Sequence, residues 1–111
     1  MIFIAVKFTI RPDIADQWLT RVAPFTAATR AEPGNLFFEW SRSVEQPNQF
    51  VLLEAFRDRA AGEVHVRSAH FQEAMAWMPD AVAAAPDIIH VEAPGEGWAP
   101  MAEVQPRTLV D

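Results

Sequence analysis

Two of the three histidines in this chain lie in one heptapeptide, His-Val-Arg-Ser-Ala-His-Phe, residues 65–71. An imidazole can ligate a metal, carry a proton near neutral pH, or donate a hydrogen bond in a packed interface. His65 and His70 are five residues apart, so on one straight α-helix they would point about 140° away from each other. That spacing predicts no shared metal ion; a ligating pair needs a spacing of four, as in His-Glu-x-x-His. The third histidine, His90, lies on a predicted strand, and no carboxylate pattern completes a triad. Ser68 reads as a hydroxyl on the helix surface rather than a nucleophile, because no base and orienting group accompany it. His65 stays open between proton transfer and a capping or packing role. His70 is expected as a polar contact where helix meets sheet.

Glu54 is the other polar residue in an unusual place, within Phe-Val-Leu-Leu-Glu-Ala-Phe, residues 50–56. Burying an unpaired carboxylate is costly. Either it pairs with a strand neighbour such as Arg42 or Arg57, or it orients a histidine or binds a substrate hydroxyl. Glu39, between Phe38 and Trp40, poses the same problem. Four tryptophans and eight phenylalanines are many for this length. Aromatic residues at helical spacing are usually core. Together, Trp18, Phe25, Phe38, Trp40, Phe71, Trp77 and Trp98 favour a pocket for a planar apolar ligand.

The formal net charge is −6, and of nine basic residues only Lys7 is a lysine, the arginines being scattered. No basic stripe can neutralise phosphates, which disfavours nucleic acid and anionic membrane surfaces as partners. The chain has no cysteine, so disulfides, iron–sulfur clusters and thiolate chemistry are excluded. The apolar N-terminal run is interrupted by Lys7 and is too short to span a bilayer. It lacks the features of a signal peptide. It reads as the first strand of a cytoplasmic protein.

These side chains must be positioned by regular elements. Ile2 to Ile10 predicts a strand, rich in β-branched and aromatic residues. Asp13 is a candidate N-cap for a helix whose apolar stripe is Ile14, Trp18, Val22 and Phe25, interrupted by Pro24. Glu32-Pro33-Gly34-Asn35 stops it. Leu36 to Ser43 and Gln49 to Arg57 read as strands joined by a hairpin turning at Pro47 and Asn48. Asp58 can cap a second helix running to about Trp77, with Val64, Phe71, Met75 and Met78 as its stripe. A short helical turn follows Pro79, and Ile88 to Ala93 is a fourth strand. The order β-α-β-β-α-β, with right-handed crossovers, places both helices on one face of a four-stranded antiparallel sheet. This is an α+β, ferredoxin-like architecture, occupying residues 1–93.

Alternation gives that sheet two apolar faces. Phe50, Leu52 and Phe56 oppose Val51, Leu53 and Ala55; Ile2, Ile4, Val6 and Phe8 oppose Phe3 and Ala5; Leu36, Phe38 and Trp40 oppose Phe37. Two helices cover one face. The other needs a cover, which the alternation predicts to be a second copy in a two-fold homodimer. Residues 94–111 form a C-terminal extension with three prolines and with Trp98, Met101, Val104 and Leu109, expected to dock on this domain or on the partner.

The segment Glu-Pro-Gly-Asn-Leu-Phe-Phe-Glu-Trp followed by Gln-Pro-Asn-Gln-Phe-Val-Leu-Leu-Glu-Ala-Phe and His-Val-Arg-Ser-Ala-His-Phe resembles the antibiotic biosynthesis monooxygenase (ABM) family. Relatives show Glu-x-Gly-x-Leu-x-Tyr, a Pro-Asn hairpin, Phe-x-Leu-x-Glu-x-Trp and His-x-x-Ser-x-His-Phe. The matching residues here are Glu32, Gly34, Leu36 and Phe38; Pro47 and Asn48; Phe50, Leu52, Glu54 and Phe56; and His65, Ser68, His70 and Phe71. Phe38 and Phe56 stand where Tyr and Trp are frequent. The resemblance implies a dimeric α+β barrel and a cofactor-independent monooxygenase that uses molecular oxygen on a small aromatic, phenolic or quinol-type substrate. It implies His65 as proton acceptor with Glu54 as its catalytic companion. Asn35, Phe38, Trp40, His70, Phe71 and Trp77 would then contact substrate. The family also holds small-molecule isomerases, and some haem-degrading proteins share the fold; a small-metabolite isomerase using the same base and a non-catalytic small-molecule-binding or stress-associated dimer therefore remain open as alternatives.

Overall fold

A computed structural model of the chain describes residues 1–108. Four strands, β1 (Ile2–Thr9), β2 (Asn35–Arg42), β3 (Gln49–Phe56) and β4 (Asp87–Glu92), form one antiparallel sheet in the order β2-β3-β1-β4. The helical crossovers lie on one face, which makes this the ferredoxin-like α+β fold. The register sets Val6 opposite Leu52, Ile4 opposite both Glu54 and His90, and Phe38 opposite Glu54. Ile2, Val6, Phe8, Phe38, Phe50, Leu52 and Phe56 are buried on the helix-covered face, as alternation requires. Glu54 shares that face, on a central strand.

The first crossover differs from one capped helix. A 3₁₀ segment, Pro12–Gln17, precedes a short α1 (Trp18–Arg21), and α2 (Ala23–Arg30) follows after a break at Val22. Asp13 is not a cap: its carboxylate accepts from the Arg11 guanidinium at 2.7 Å. Pro24 sits in the first turn of α2, where its missing N–H costs no intrahelical bond, so it starts a helix rather than kinking one. The apolar stripe is intact, with Trp18, Val22 and Phe25 buried and Ile14 packed against the core.

In the second crossover, Asp58 caps α3 (Arg59–Arg67) by accepting from the Ala61 N–H at 2.8 Å. The expected single helix is broken at Ser68, whose backbone is extended (φ −68°, ψ 152°). Ser68 is the N-cap of α4 (Ala69–Trp77), not a surface hydroxyl: its Oγ accepts from the Phe71 N–H and donates to the His65 carbonyl. The break changes which residues face inward. Ala61 and His65, four apart, form the buried side of α3, while Val64 is 58% exposed.

The outer face of the sheet is partly covered by the chain itself. Trp98 stacks on Phe37 with ring centroids 5.3 Å apart, and its Nε1 donates to Glu39 Oε1 at 3.2 Å. Met101 and Val104 stay exposed. Leu109 lies outside the described residues. Among the described residues, no helix is long and apolar enough to cross a membrane.

Candidate active site

A cavity of ≈ 960 Å³ lies between the β1–β4 side of the sheet and α3, α4 and the 3₁₀ turn Met78–Asp80. Its walls are apolar, built from Ile2, Ile4, Val6 and Phe8 of β1, Ile88 of β4, and Phe71, Met75 and Met78. Two buried polar side chains reach it from opposite layers: Glu54 from β3 and His65 from α3, only 6% and 3% exposed. His65 Nε2 lies 3.8 Å from Glu54 Oε1. Phe56 packs 4.8 Å from the imidazole and Phe71 meets it edge-on at 5.1 Å. Arg59 and Glu92, paired at 2.8 Å, join α3 to β4 at the exposed margin.

Neither arginine considered for Glu54 reaches it: Arg42 pairs with Asp16 and Arg57 with Asp58. Burial, reinforced by the nearby Glu32 charge, pushes the Glu54 carboxyl up from 4.5 to about 7. Burial also lowers His65 from 6.5, against the opposing pull of Glu32, with His70 adding to the lowering. The pair therefore combines a neutral imidazole with a carboxyl poised near physiological pH. Such groups can take up or return a proton inside an apolar-walled cavity.

Behind the imidazole stands a third group that the sequence reading left without a role. Glu32 Oε2 lies 2.7 Å from His65 Nδ1 and 2.6 Å from His70 Nε2. Glu32 closes a turn in which its carbonyl accepts from the Asn35 N–H at 3.1 Å, and its side chain is returned beneath α3 and α4. The break at Ser68 is what lets both histidines meet one carboxylate, which overturns the divergence expected for a straight helix. Glu32, His65 and His70 offer three ligand atoms within 4.8 Å of one another, a donor set that suits zinc or iron. The 2.6–2.7 Å separations are those of charged hydrogen bonds, and the cluster reads as a hydrogen-bonded one. The signal that could have found Glu32 was its place in the Glu-x-Gly-x-Leu motif.

The other expected substrate contacts separate. Phe71 lines the cavity. Phe38 and Trp40 belong to the packed core, where Trp40 Nε1 donates to Thr26 Oγ1 at 2.9 Å. Trp77 packs against Trp18 at 5.6 Å. The Asn35 amide donates to the Phe37 and Ala55 carbonyls, so it holds β2 to β3. His70 meets Glu32 rather than the cavity. Phe25 lines the cavity as Phe71 does, whereas Trp18, Phe38, Trp40 and Trp77 pack in or against the core, because a packed core and a ligand pocket draw on the same side chains.

Comparison with known proteins agrees with this architecture. The family model for antibiotic biosynthesis monooxygenase matches residues 1–77. YcnE of Bacillus subtilis (strain 168), a proposed monooxygenase, is 29% identical over 92 residues, covering 83% of this chain and 97% of its own. Among solved structures, a proposed antibiotic biosynthesis monooxygenase from Deinococcus radiodurans superposes with a TM-score of 0.79 at 22% identity, covering 92% of this chain and all of the other. Rv0793 from Mycobacterium tuberculosis gives 0.78 at 22%, covering 87% and 98%. The fold, the element order and the residues of the Glu32 to Phe71 segment thus converge with the family match, and the chain belongs to the antibiotic biosynthesis monooxygenase family.

Proposed function

We propose that this protein is a cofactor-independent monooxygenase of a small phenolic or quinol-type aromatic, working as a homodimer. The observation that carries the reading is the apolar cavity with His65 and Glu54 as its buried polar pair. A phenol gives an electron to O₂ readily only once ionised. His65 accepts the hydroxyl proton at Nε2, and Glu54 holds the substrate oxygen or shares that proton. The phenolate and O₂ then combine through one-electron transfer and radical recombination. One oxygen atom is retained as a new ring carbonyl, and the other leaves as water with the two hydrogens lost from the ring carbon and hydroxyl. Apolar walls shield the charged intermediates from water.

The test is turnover of a panel of naphthols and hydroquinones under ¹⁸O₂, followed by product mass. Incorporation of one ¹⁸O atom, lost in His65→Gln, is the expected result. A product rearranged without oxygen would transfer the site to an isomerase using the same base. No turnover across the panel, with the aromatics bound unchanged, would replace the reading by a binding protein.

A further inference from the structure

We propose that Glu32 is a positioning residue: it fixes His65 as the tautomer protonated on Nδ1, leaving the Nε2 lone pair directed to the cavity, and His70 holds Glu32 in the state that does so. This deepens the preceding reading and rests on it for the use made of Nε2.

The argument begins with hydrogen-bond capacity. An ionised carboxylate only accepts, and an imidazole nitrogen donates only if it carries a hydrogen. One oxygen of Glu32 meets two ring nitrogens at 2.7 and 2.6 Å, while its other oxygen, Oε1, is buried without a partner among the described residues. A carboxylate served by two N–H donors satisfies these distances. It then requires hydrogens on His65 Nδ1 and on His70 Nε2. A neutral His65 with its hydrogen on Nδ1 has none on Nε2. That second nitrogen is the one on the Glu54 side, 3.8 Å from Oε1 of that residue.

The arrangement also favours the product of proton acceptance. When Nε2 takes a proton, the imidazolium faces a carboxylate through a hydrogen bond already formed, so no group has to reorganise. A histidine side chain free in water prefers the other tautomer, with hydrogen on Nε2, which would present a donor to the cavity and no base. His70 contributes from outside the cavity. As Oε1 has no donor among the described residues, removing His70 leaves a buried carboxylate on a single hydrogen bond. Without that second donor the Glu32 carboxylate is no longer held against Nδ1, and the preference for a hydrogen there is lost. The titratable groups that meet the imidazole are Glu32, Glu54 and His70.

Long-range ¹H–¹⁵N spectra of ¹⁵N-histidine-labelled protein, recorded without substrate at pH 7.5, test this. Wild type is expected to show His65 with a protonated Nδ1 and a bare Nε2. Glu32→Leu, which keeps the volume and removes the acceptor, is expected to exchange the two resonance types. His70→Ala is expected to move the same way, with His70→Gln, whose amide can donate, restoring the wild-type pattern. A wild-type His65 protonated on Nε2 overturns the proposal even if neither variant folds. So does a pattern unchanged in both Glu32→Leu and His70→Ala. The spectra need no turnover, so the two readings fail separately. The expected tautomer without ¹⁸O incorporation sinks the oxygenation chemistry alone. Incorporation with the opposite tautomer sinks the role of Glu32 alone.

Discussion

His65 and Glu54 respond to pH in opposite senses, and both are measurable in stability. Glu54 is raised from 4.5 to about 7 on folding, so between those values the folded state holds a proton that the unfolded chain releases. Its contribution is fully present below pH 4.5 and is lost as pH rises through about 7, on the order of 3 kcal/mol in all. His65 is lowered on folding, so its contribution is present above 6.5 and is lost as pH falls through its folded value. Glu54→Gln keeps the shape and removes the titration. Urea unfolding from pH 5 to 8 is expected to show wild type losing stability relative to this variant as pH rises. Parallel curves would mean that Glu54 is ionised in the folded protein. For turnover, loss of the proton acceptor in His65→Gln is expected to lower kcat by about 10²–10⁴-fold, the range of general-base catalysis. A smaller loss would assign the proton to Glu54.

Short elements deliver these residues, and each depends on a few local contacts. Ser68→Ala removes the cap of α4 at a cost of about 1 kcal/mol. It should also loosen His70, two residues on, seen as a changed His70 ring resonance while the strands stay protected from hydrogen exchange. Gly34 sits under α3, where an added Cβ would overlap that of Ala61. Gly34→Ala should therefore cost about 1–3 kcal/mol by overpacking and shift the Glu32 turn beside it, read as a lower urea midpoint. The strands, the Asp58 cap and the Trp18–Val22–Phe25 stripe were legible because each is written in local periodicity or in one capping residue. Ser68 was not, since a serine in a helical pattern reads equally as surface or as cap, and no Gly or Pro marks the break. Glu32 was not, because its role comes from a turn that returns its side chain to two helices beyond the next two strands. The Pro24 misreading is of the same kind: a proline inside an apolar stripe looks like an interruption until the break at Val22 shows that a new helix begins there.

At the scale of the molecule, the outer sheet face decides the assembly. Phe37 is taken by Trp98 from the chain's own extension. Phe3, Val51 and Leu53 are only partly buried, and on β4 Ile89 and Val91 are 63% and 42% exposed. This apolar band across β3, β1 and β4 is left uncovered by the helices, which occupy the other face. A second copy applied by a two-fold axis would bring like patches together and cover it. A stable interface takes about 800 Å² from each partner. Sedimentation at micromolar concentration is expected to give a dimer for wild type and a monomer for Ile89→Asp combined with Val91→Asp. Those two side chains point away from the cavity, so the variant should keep the His65 and His70 ring resonances. A monomeric wild type would show that Trp98 and the extension suffice to cover the sheet. A dimeric double variant would place the interface elsewhere on the surface.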